Sequence, residues 1–315
     1  MERTLLSILM QKKTVAFLAV LMFILAGLTA FIYVRVTDMT VVFRPSNQFW
    51  TGDSADRKQV ISVGVVSRYP PSVIYQGYQP IMDYLTRSTP YRFTLRLSSS
   101  YQQTVDLLDN GTLSAAFLGT YIYVQAQQKQ AVECLLKPLN ENGEPYSHAV
   151  VIVRDDSPIR SIGDLRHKRV AFPSKESFSG NWLPRYELQR HHIALSDLDS
   201  VCFLPHHQSV VYQVLKGTFD AGVVKERVAR EFLPRGIRIL YTSEAIPGSP
   251  IVASRSCPKE VSLAIRWALL RIDTRRQEDR ALVENWDPEF QFGFASATDR
   301  DYDAVRAILR AVEKK

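Results

Sequence analysis

Short apolar runs alternate with segments of helical spacing through most of the chain. In the first half the runs are 60–66, 91–97 and 115–118, and the helical segments are 78–85, 101–108 and 120–128. Short runs that are apolar throughout, or in which apolar and polar residues alternate, are typical of strands, whereas apolar residues three and four apart indicate helices. This alternation predicts a mostly parallel sheet with helices on both faces.

The same alternation is repeated in a second unit. Its predicted strands are 149–153, 169–172, 201–204, 220–224 and 237–241, with helical segments at 161–165 and 209–215. A further run, 251–254, is expected to return to the first unit, and residues 258–280 and 299–313 have helical spacing. The chain is therefore predicted to form two α/β units, the first of which includes the C-terminal segments.

The chain begins with a long uncharged segment. No charged residue occurs from Thr14 to Val34, which is enough for a helix of about 20 residues that spans a bilayer. Three basic residues precede the segment, so residues 1–13 are expected to stay cytoplasmic and the rest to be exported. The pattern predicts a single-pass anchor in the cytoplasmic membrane, with the folded part on the extracytoplasmic side.

A cleavable signal peptide is the alternative interpretation of this segment. Such peptides have a shorter apolar core and a cleavage site of small residues, and residues 28–30 are a poor match to that site. The sequence therefore favours an uncleaved anchor. Residues 35–58 mix charged residues, Pro, Ser and Gly without a clear period and are interpreted as a linker.

Composition and charge narrow the class of ligand. The chain has 315 residues, of which 46% are hydrophobic and 23% charged, as in ordinary globular proteins. Its net charge of +7 is spread without a basic cluster, which suits a small anion, and we do not expect nucleic-acid binding. Three cysteines without a CxxC motif, and the spacing of Cys202 from His206 and His207, predict neither a metal site nor a cofactor.

A polar turn follows the apolar run 169–172. Because proline is tolerated only in the first turn of a helix, Pro184 predicts a helix that begins close to Ser179 and Gly180. The open amides and the dipole of such a helix start, together with the hydroxyls of Ser177 and Ser179, suit a small oxyanion. The alternative is an ordinary helix with a serine N-cap.

A series of short motifs extends over most of the exported part. They are Tyr78-Gln-Pro80, Ser100-Tyr101 before a helix ending at Gly111, Phe117-Leu-Gly119 with Tyr123, Tyr146-Ser147, Asp164-Leu165, Lys168 to Phe172, Ser177-Phe-Ser-Gly180, His207, Gly217 to Gly222, and Ser243 with Ile246-Pro247. In this order they resemble the phosphate/phosphite/phosphonate-binding proteins of ABC importers, the PhnD-like branch of the type II periplasmic-binding-protein fold. The resemblance covers about residues 60–302 and implies an α/β fold of two lobes.

The resemblance implies a ligand site at the polar turn. In the family a Ser-Thr-Ser-Gly turn binds phosphonate oxygens at a helix start, and here the turn is Ser177, Phe178, Ser179 and Gly180. Phe178 replaces the threonine, so one hydroxyl donor is lost. Restoring threonine at this position is expected to tighten phosphonate binding.

Further site residues are implied in the same way. His207 matches the family's ligand histidine, although the acid that follows it in the family is Gln208 here. Asp220 matches an acid opposite the oxyanion, which can pair with a ligand amine or accept the proton of an acidic P–OH. Tyr123 and Tyr101 match positions that line the cleft.

The implied function is capture of a phosphate-like or phosphonate-like anion for an ABC permease. Residues 59–147 and 248–315 are expected to form the first lobe and residues 148–247 the second, with a hinge at the two crossings. The alternative is a ligand-sensing ectodomain that acts with a separate signalling partner. An enzyme on this fold, such as those related to thiamine-precursor synthesis, is not favoured because no catalytic constellation is visible.

Overall fold

The structure, a computed structural model, describes residue 22 and residues 25–29, 58–66, 69, 71–129 and 132–313. The predicted anchor lies mostly outside these residues, and 25–29 are the part of it described as continuous helix. Residues 1–13 and nearly all of the predicted linker also lie outside them. Within the described ranges, no helix is long and apolar enough to cross a membrane. The anchor therefore stays a prediction.

The residues from Lys58 onward form one compact unit. Its strands are β1 Val60–Val65, β2 Arg92–Leu97, β3 Ala115–Phe117, β4 Val132–Pro138, β5 Tyr146–Ser147, β6 Ala149–Arg154, β7 Arg169–Phe172, β8 Ser200–Phe203, β9 Ala221–Lys225, β10 Ile237–Thr242, β11 Ile246–Pro247, β12 Ile251–Ser254 and β13 Phe294–Ser296. The sequence pattern did not predict β4, β5, β11 or β13.

Helices connect most of these strands. They are α1 Pro71–Ser88, α2 Tyr101–Asp109, α3 Thr120–Gln128, α4 Leu183–Arg190, α5 His207–Leu215, α6 Glu226–Phe232, α7 Lys259–Leu270, α8 Gln277–Val283 and α9 Asp303–Glu313. Short 3-10 turns occur at Ile162–Leu165, Leu195–Asp197, Leu233–Arg235, Pro288–Phe290 and Asp299–Tyr302, and a π-helical turn at Phe178–Trp182. The segment 258–280, predicted as one helix, is two helices with a break at 271–276.

The first sheet has six strands in the order β13-β4-β12-β3-β1-β2. Strand β1 pairs in parallel with β2 and β3, whereas β12 is antiparallel to β3 and β4, and β13 is antiparallel to β4. The return of β12 to this sheet confirms the prediction for residues 251–254. Strand β12 runs opposite in direction to both of its neighbours, β3 and β4.

The second sheet has five strands in the order β10-β6-β9-β7-β8. Strand β7 is parallel to β8 and β9, whereas β6 is antiparallel to β9 and β10. Both sheets are therefore mixed, and the prediction of a mostly parallel sheet is wrong. The strand–helix alternation accounts for the parallel pairs, but it carries no information about strands that return from the other sheet.

Both faces of each sheet are buried. In β3, Ala115 and Phe117 belong to one apolar cluster and Ala116 to the cluster on the opposite face. In β6, Val151 and Val153 face one cluster, whereas Val150 and Ile152 face another. Successive side chains of a strand point to opposite faces, so burial of both faces explains why these runs are apolar throughout.

The two chain segments that connect the sheets lie next to each other. The chain leaves the first sheet through β5 and returns through β11, and these two short strands pair antiparallel, with Ser147 opposite Ile246 and Tyr146 opposite Pro247. The fold thus consists of two α/β lobes joined by two neighbouring strands. A cleft opens where strands of both sheets end.

Candidate functional site

The cleft is lined by residues that directly follow strands. The described lining residues are Val66, Tyr69, Tyr101, Gly119, Thr120, Pro173, Ser174, Glu176, Ser177, Phe178, Ser179, Pro205, His206, His207, Lys225 and Ser249. Most follow the carboxyl ends of β1, β2, β3, β7, β8 and β9. This is the edge at which open α/β sheets bind ligands, because helices begin there and their amides face the cleft.

Ser177 organises the turn after β7. Its Oγ accepts a hydrogen bond from the Gly180 amide at 3.0 Å, and its carbonyl accepts one from the Asn181 amide at 3.0 Å. Ser177 is therefore the N-cap of the π-helical turn that leads into α4. The amides of Phe178 and Ser179 stand at the open start of this turn, where partial positive charge favours an anion. The predicted helix start is thus confirmed within about two residues.

Gly180 is required by packing. A Cβ atom on Gly180 would lie 1.9 Å from Cγ of Pro173 and 2.9 Å from Oγ of Ser177. Any larger residue would push the turn away from the end of β7. The absence of a side chain on Gly180 thus lets the turn pack against Pro173, and the Gly180 amide donates a hydrogen bond to Oγ of Ser177.

His207 faces the turn from the start of α5. Its Nδ1 accepts a hydrogen bond from the Lys225 backbone amide at 3.1 Å. In a neutral imidazole this bond places the proton on Nε2, because Nδ1 must act as the acceptor. Nε2 lies 3.5 Å from Oγ of Ser177. A donor on the ring and a hydroxyl therefore converge at the open helix start.

The opposite wall carries two further helix starts. Tyr101 is the first residue of α2, whose N-cap Ser100 accepts a hydrogen bond from the Gln103 amide at 3.1 Å. Thr120 is the first residue of α3, and its N-cap, Gly119, provides no side-chain cap. Helix starts from both lobes thus face one cleft, and their dipoles reinforce one another toward a negative ligand.

Lys225 joins the two walls. It ends β9 in the second sheet, and its Nζ lies 2.8 Å from Oε1 of Glu289 and 3.4 Å from Oγ of Ser249. Glu289 lies in the turn whose Phe290 is buried in the core of the first sheet. The ion pair is mostly shielded, with 19% of the Lys225 side chain and 11% of the Glu289 side chain exposed.

Arg227 of the second lobe also contacts the first lobe, beside this ion pair. The Arg227 Nη2 donates to the Tyr69 hydroxyl at 3.5 Å. Burial alone lowers the pKa of Arg227, but Tyr69, Asp287 and Glu289 nearby outweigh it, and the pKa is raised. Glu289 of the first lobe thus pairs with Lys225 of the second, whereas Arg227 pairs with Glu231 of its own helix and contacts the first lobe through Tyr69.

The structure brings six of the eight predicted site residues to the cleft. Five line it directly, namely Tyr101, Ser177, Phe178, Ser179 and His207, and Gly180 holds the turn. Phe178 is 3% exposed and belongs to an apolar cluster of the first lobe.

Asp220 lies at the other edge of the second sheet. It directly precedes β9, whereas Lys225 ends that strand at the cleft. Its carboxylate accepts hydrogen bonds from the Arg169 amide at 2.9 Å and from the Arg169 Nη2 at 2.7 Å. Hydrogen bonds from Arg169 hold the pKa of this carboxyl below its usual range. The prediction that Asp220 faces the oxyanion is thus not supported by its position, because a residue that starts a strand cannot reach the edge where the strand ends.

Tyr123 is buried in the first lobe. Its hydroxyl donates to Oδ1 of Asp299 at 2.7 Å and accepts from Nε2 of Gln127 at 3.2 Å, and its ring lies 4.6 Å from that of Tyr302. Burial raises the pKa of Tyr123. Tyr123 lies one turn further along α3 than Thr120 and is fully buried, whereas Thr120, at the helix start, lines the cleft.

The sequence reasoning missed the contribution of Lys225, Thr120 and Ser249. The sequence contained a signal for Lys225 and Thr120, since each comes shortly after an apolar run that predicts a strand. Ser249 follows β11, a strand without a sequence signature. Among the described residues, no group of three or more His, Cys, Asp and Glu side chains is placed to hold a metal ion.

Two lobes around an anion-attracting cleft define a solute-binding protein of the periplasmic class. The family model described as "ABC transporter, phosphonate, periplasmic substrate-binding protein" matches residues 63–302, and the chain belongs to this family. Members are substrate-binding components of transporters, not enzymes.

Individual relatives agree with this assignment. The phosphate-import protein PhnD of Mycolicibacterium smegmatis is 22% identical over 79% of this chain and 85% of its own length. The phosphonates-binding periplasmic protein of Escherichia coli is 18% identical over 85% and 81%. The structure of PhnD1 from Prochlorococcus marinus in complex with methylphosphonate superimposes with a TM-score of 0.71 and 17% identity, covering 82% of this chain and 99% of that one.

Proposed function

We propose that this protein captures a phosphate-like or phosphonate-like oxyanion at the turn of Ser177 to Gly180 and delivers it to an ABC permease. The observation that carries the proposal is the convergence of Ser177 Oγ and His207 Nε2, 3.5 Å apart, at an open helix start. The names of the relatives, which import phosphate or bind phosphonates, support the ligand class.

The anion is held by hydrogen bonds, without a metal. The hydroxyls of Ser177 and Ser179 and the amides of the turn donate to one face of the oxyanion, and Nε2 of His207 donates from the side. Tyr101 and Thr120 close the site from the first lobe. Charge-assisted hydrogen bonds of this kind contribute about 1.5–3 kcal/mol each.

Ligand binding closes the lobes about the paired strands β5 and β11. The first lobe comprises residues 59–147 and 248–315, and the second comprises residues 148–247. The contacts from Lys225 to Glu289 and from Arg227 to Tyr69 cross between the lobes and stabilise the closed state. An anion that contacts both walls shifts the protein toward closure, because it binds that state better.

The test is a calorimetric titration of the full-length protein with phosphate, phosphite and methylphosphonate, with and without a chelator. We expect 1:1 binding that the chelator does not change. His207→Ala should bind roughly tenfold or more weakly, whereas His191→Ala, an exposed histidine after α4, should bind as the wild type does. Absence of heat and of a thermal shift with every oxyanion would contradict the proposal.

We also propose that the segment from Thr14 to Val34 keeps the binding domain at the membrane surface. The support is its uncharged length and the basic residues before it. Cell fractionation with N-terminal sequencing tests this. A soluble mature form that begins near Phe31 would contradict it.

A further inference from the structure

Helix α7 is apolar on two of its sides. Its buried residues, which include Val261 and Ile265, pack in the core of the first sheet. Leu263, Trp267 and Leu270 recur three and four residues apart, so they form one apolar stripe on the outer side of the helix, where each is 40% to 54% exposed. The outer side of a helix that covers a sheet normally carries charged and polar residues. The apolar stripe is therefore a candidate docking surface.

Positive charge accompanies the apolar stripe. Cζ of Arg271 lies 4.3 Å from the centre of the Trp267 ring, and no acid among the described residues forms an ion pair with Arg271. Arg275 and Arg276, by contrast, are each neutralised by an aspartate. Residues 259–271 together carry a net charge of +2. Leucine, tryptophan and arginine on one helix are typical of segments that lie at a membrane surface, where tryptophan is enriched.

The chain enters the compact unit next to α7. Lys58 is its first residue, and Nζ of Lys58 donates to the carbonyls of Thr86 at 2.7 Å and Thr89 at 3.1 Å, at the C-terminal end of α1. One turn earlier in α1, the Tyr84 hydroxyl donates to the Ala268 carbonyl of α7 at 2.8 Å. The chain that precedes Lys58 therefore joins the first lobe close to the apolar stripe.

The length of that preceding chain limits how far the stripe can be from the proposed anchor. Residues 35–57 lie between the anchor segment and Lys58. Even a fully extended chain of this length spans no more than about 80 Å. A tether keeps a surface at high local concentration near its target, so a modest intrinsic affinity for lipid is sufficient for docking.

We infer that the apolar stripe of α7, together with Arg271, docks the first lobe on the anionic lipid surface of the membrane that holds the anchor. This inference rests on the proposed anchor, which is part of the proposed function. The apolar side chains insert among the lipid headgroups, and the guanidinium of Arg271 contacts lipid phosphates. Docking through the first lobe leaves the second lobe free to move about the paired strands β5 and β11.

The test places the full-length protein in nanodiscs and measures quenching of Trp267 fluorescence by phosphatidylcholine that is brominated on its acyl chains. Each protein is measured with and without Trp267→Phe, so the difference is the emission of Trp267. With equal amounts of brominated phosphatidylcholine and phosphatidylglycerol, we expect this emission to fall by roughly half or more, because a tethered surface is docked most of the time. Quenching should be weaker when unbrominated phosphatidylcholine replaces phosphatidylglycerol.

Variants separate the apolar and the charged contributions. Leu263→Gln combined with Leu270→Gln should abolish most of the quenching, and Arg271→Gln should remove the preference for phosphatidylglycerol. Val73→Gln is the matched control, because Val73 is comparably exposed near the start of α1, at the opposite end of that helix from Lys58. It should be quenched as the wild type is. All these positions are exposed, so the variants should fold and bind phosphate normally, and melting identifies one that is unfolded.

The outcomes distinguish this inference from the proposed function. If Trp267 is not quenched, or if the double leucine variant is quenched as strongly as the wild type, the inference is overturned and anion binding stands. If the protein does not insert into nanodiscs, the proposed anchor fails and the inference fails with it. If Trp267 is quenched but no oxyanion binds, the inference stands and the proposed capture of an oxyanion fails. If the double variant instead abolishes self-association of the protein, the stripe is an interface between copies and the inference is overturned.

Discussion

Nε2 of His207 lies 3.5 Å from Oγ of Ser177, although 30 residues separate them in the chain. The two side chains follow neighbouring parallel strands, β7 and β8, whose carboxyl ends meet at one edge of the second sheet. The Lys225 amide, at the end of the third strand of this group, fixes the imidazole. The site is thus built by three adjacent strand ends, and the predictions below follow from it.

Ser177→Ala should weaken anion binding and lower stability together. Loss of one charge-assisted hydrogen bond predicts a loss of roughly tenfold to over a hundredfold in affinity. Because Oγ also caps the turn through the Gly180 amide, about 1 kcal/mol of stability should be lost as well. Titration and melting without ligand measure the two effects. Ser100→Ala removes a comparable cap from α2 and should lower stability without a comparable loss of affinity.

Glu289→Gln should weaken binding through lobe closure. It breaks the shielded ion pair with Lys225 that crosses between the lobes, so we expect affinity for phosphate to fall by roughly 5–30-fold. Small-angle scattering should show less compaction at saturating phosphate than in the wild type. Asp156→Asn, which breaks the exposed pair with Arg154 in the second lobe, should change neither quantity. Equal compaction in Glu289→Gln and the wild type would show that the pair does not stabilise closure.

Phe178→Thr should destabilise the protein. The sequence alone predicts tighter phosphonate binding, because a hydroxyl is restored. In the structure the Phe178 ring packs in the cluster that contains Leu183 and Tyr302, so its removal leaves a cavity that costs about 3 kcal/mol or more. Chemical denaturation measures this cost. Unchanged stability with tighter binding would mean that the ring does not contribute to the core.

Asp220→Asn should affect stability and leave anion binding unchanged. The carboxylate is stabilised by Arg169, and its pKa is lowered, so its contribution is present above the unfolded pKa of about 3.9 and is lost as the pH falls through the folded pKa. At pH 7 we expect the variant to lose roughly 0.5–1 kcal/mol, because the pair is partly exposed. The difference from the wild type should vanish at lower pH. A selective loss of phosphate binding would place Asp220 in the site after all.

Local pattern was sufficient for most of the elements and for the centre of the site. Helix α3 and strand β12 were predicted at the bounds observed, because a strand buried on both faces is an uninterrupted apolar run and a helix leaves buried residues three and four apart. The turn at Ser177 was predictable for a similar reason. Pro184 is tolerated only near a helix start, so the open amides had to lie just before it.

Only the tertiary structure decided which ends of the strands meet and which charges face the ligand. Asp220 directly precedes β9 and Lys225 ends it, so the two residues lie at opposite ends of one strand. Which of these ends opens into the cleft depends on pairing between distant strands. The partner of Lys225, Glu289, lies in a turn of the other lobe, 64 residues away. Contacts of this kind leave no local period, because they depend on how the two sheets are placed across the cleft.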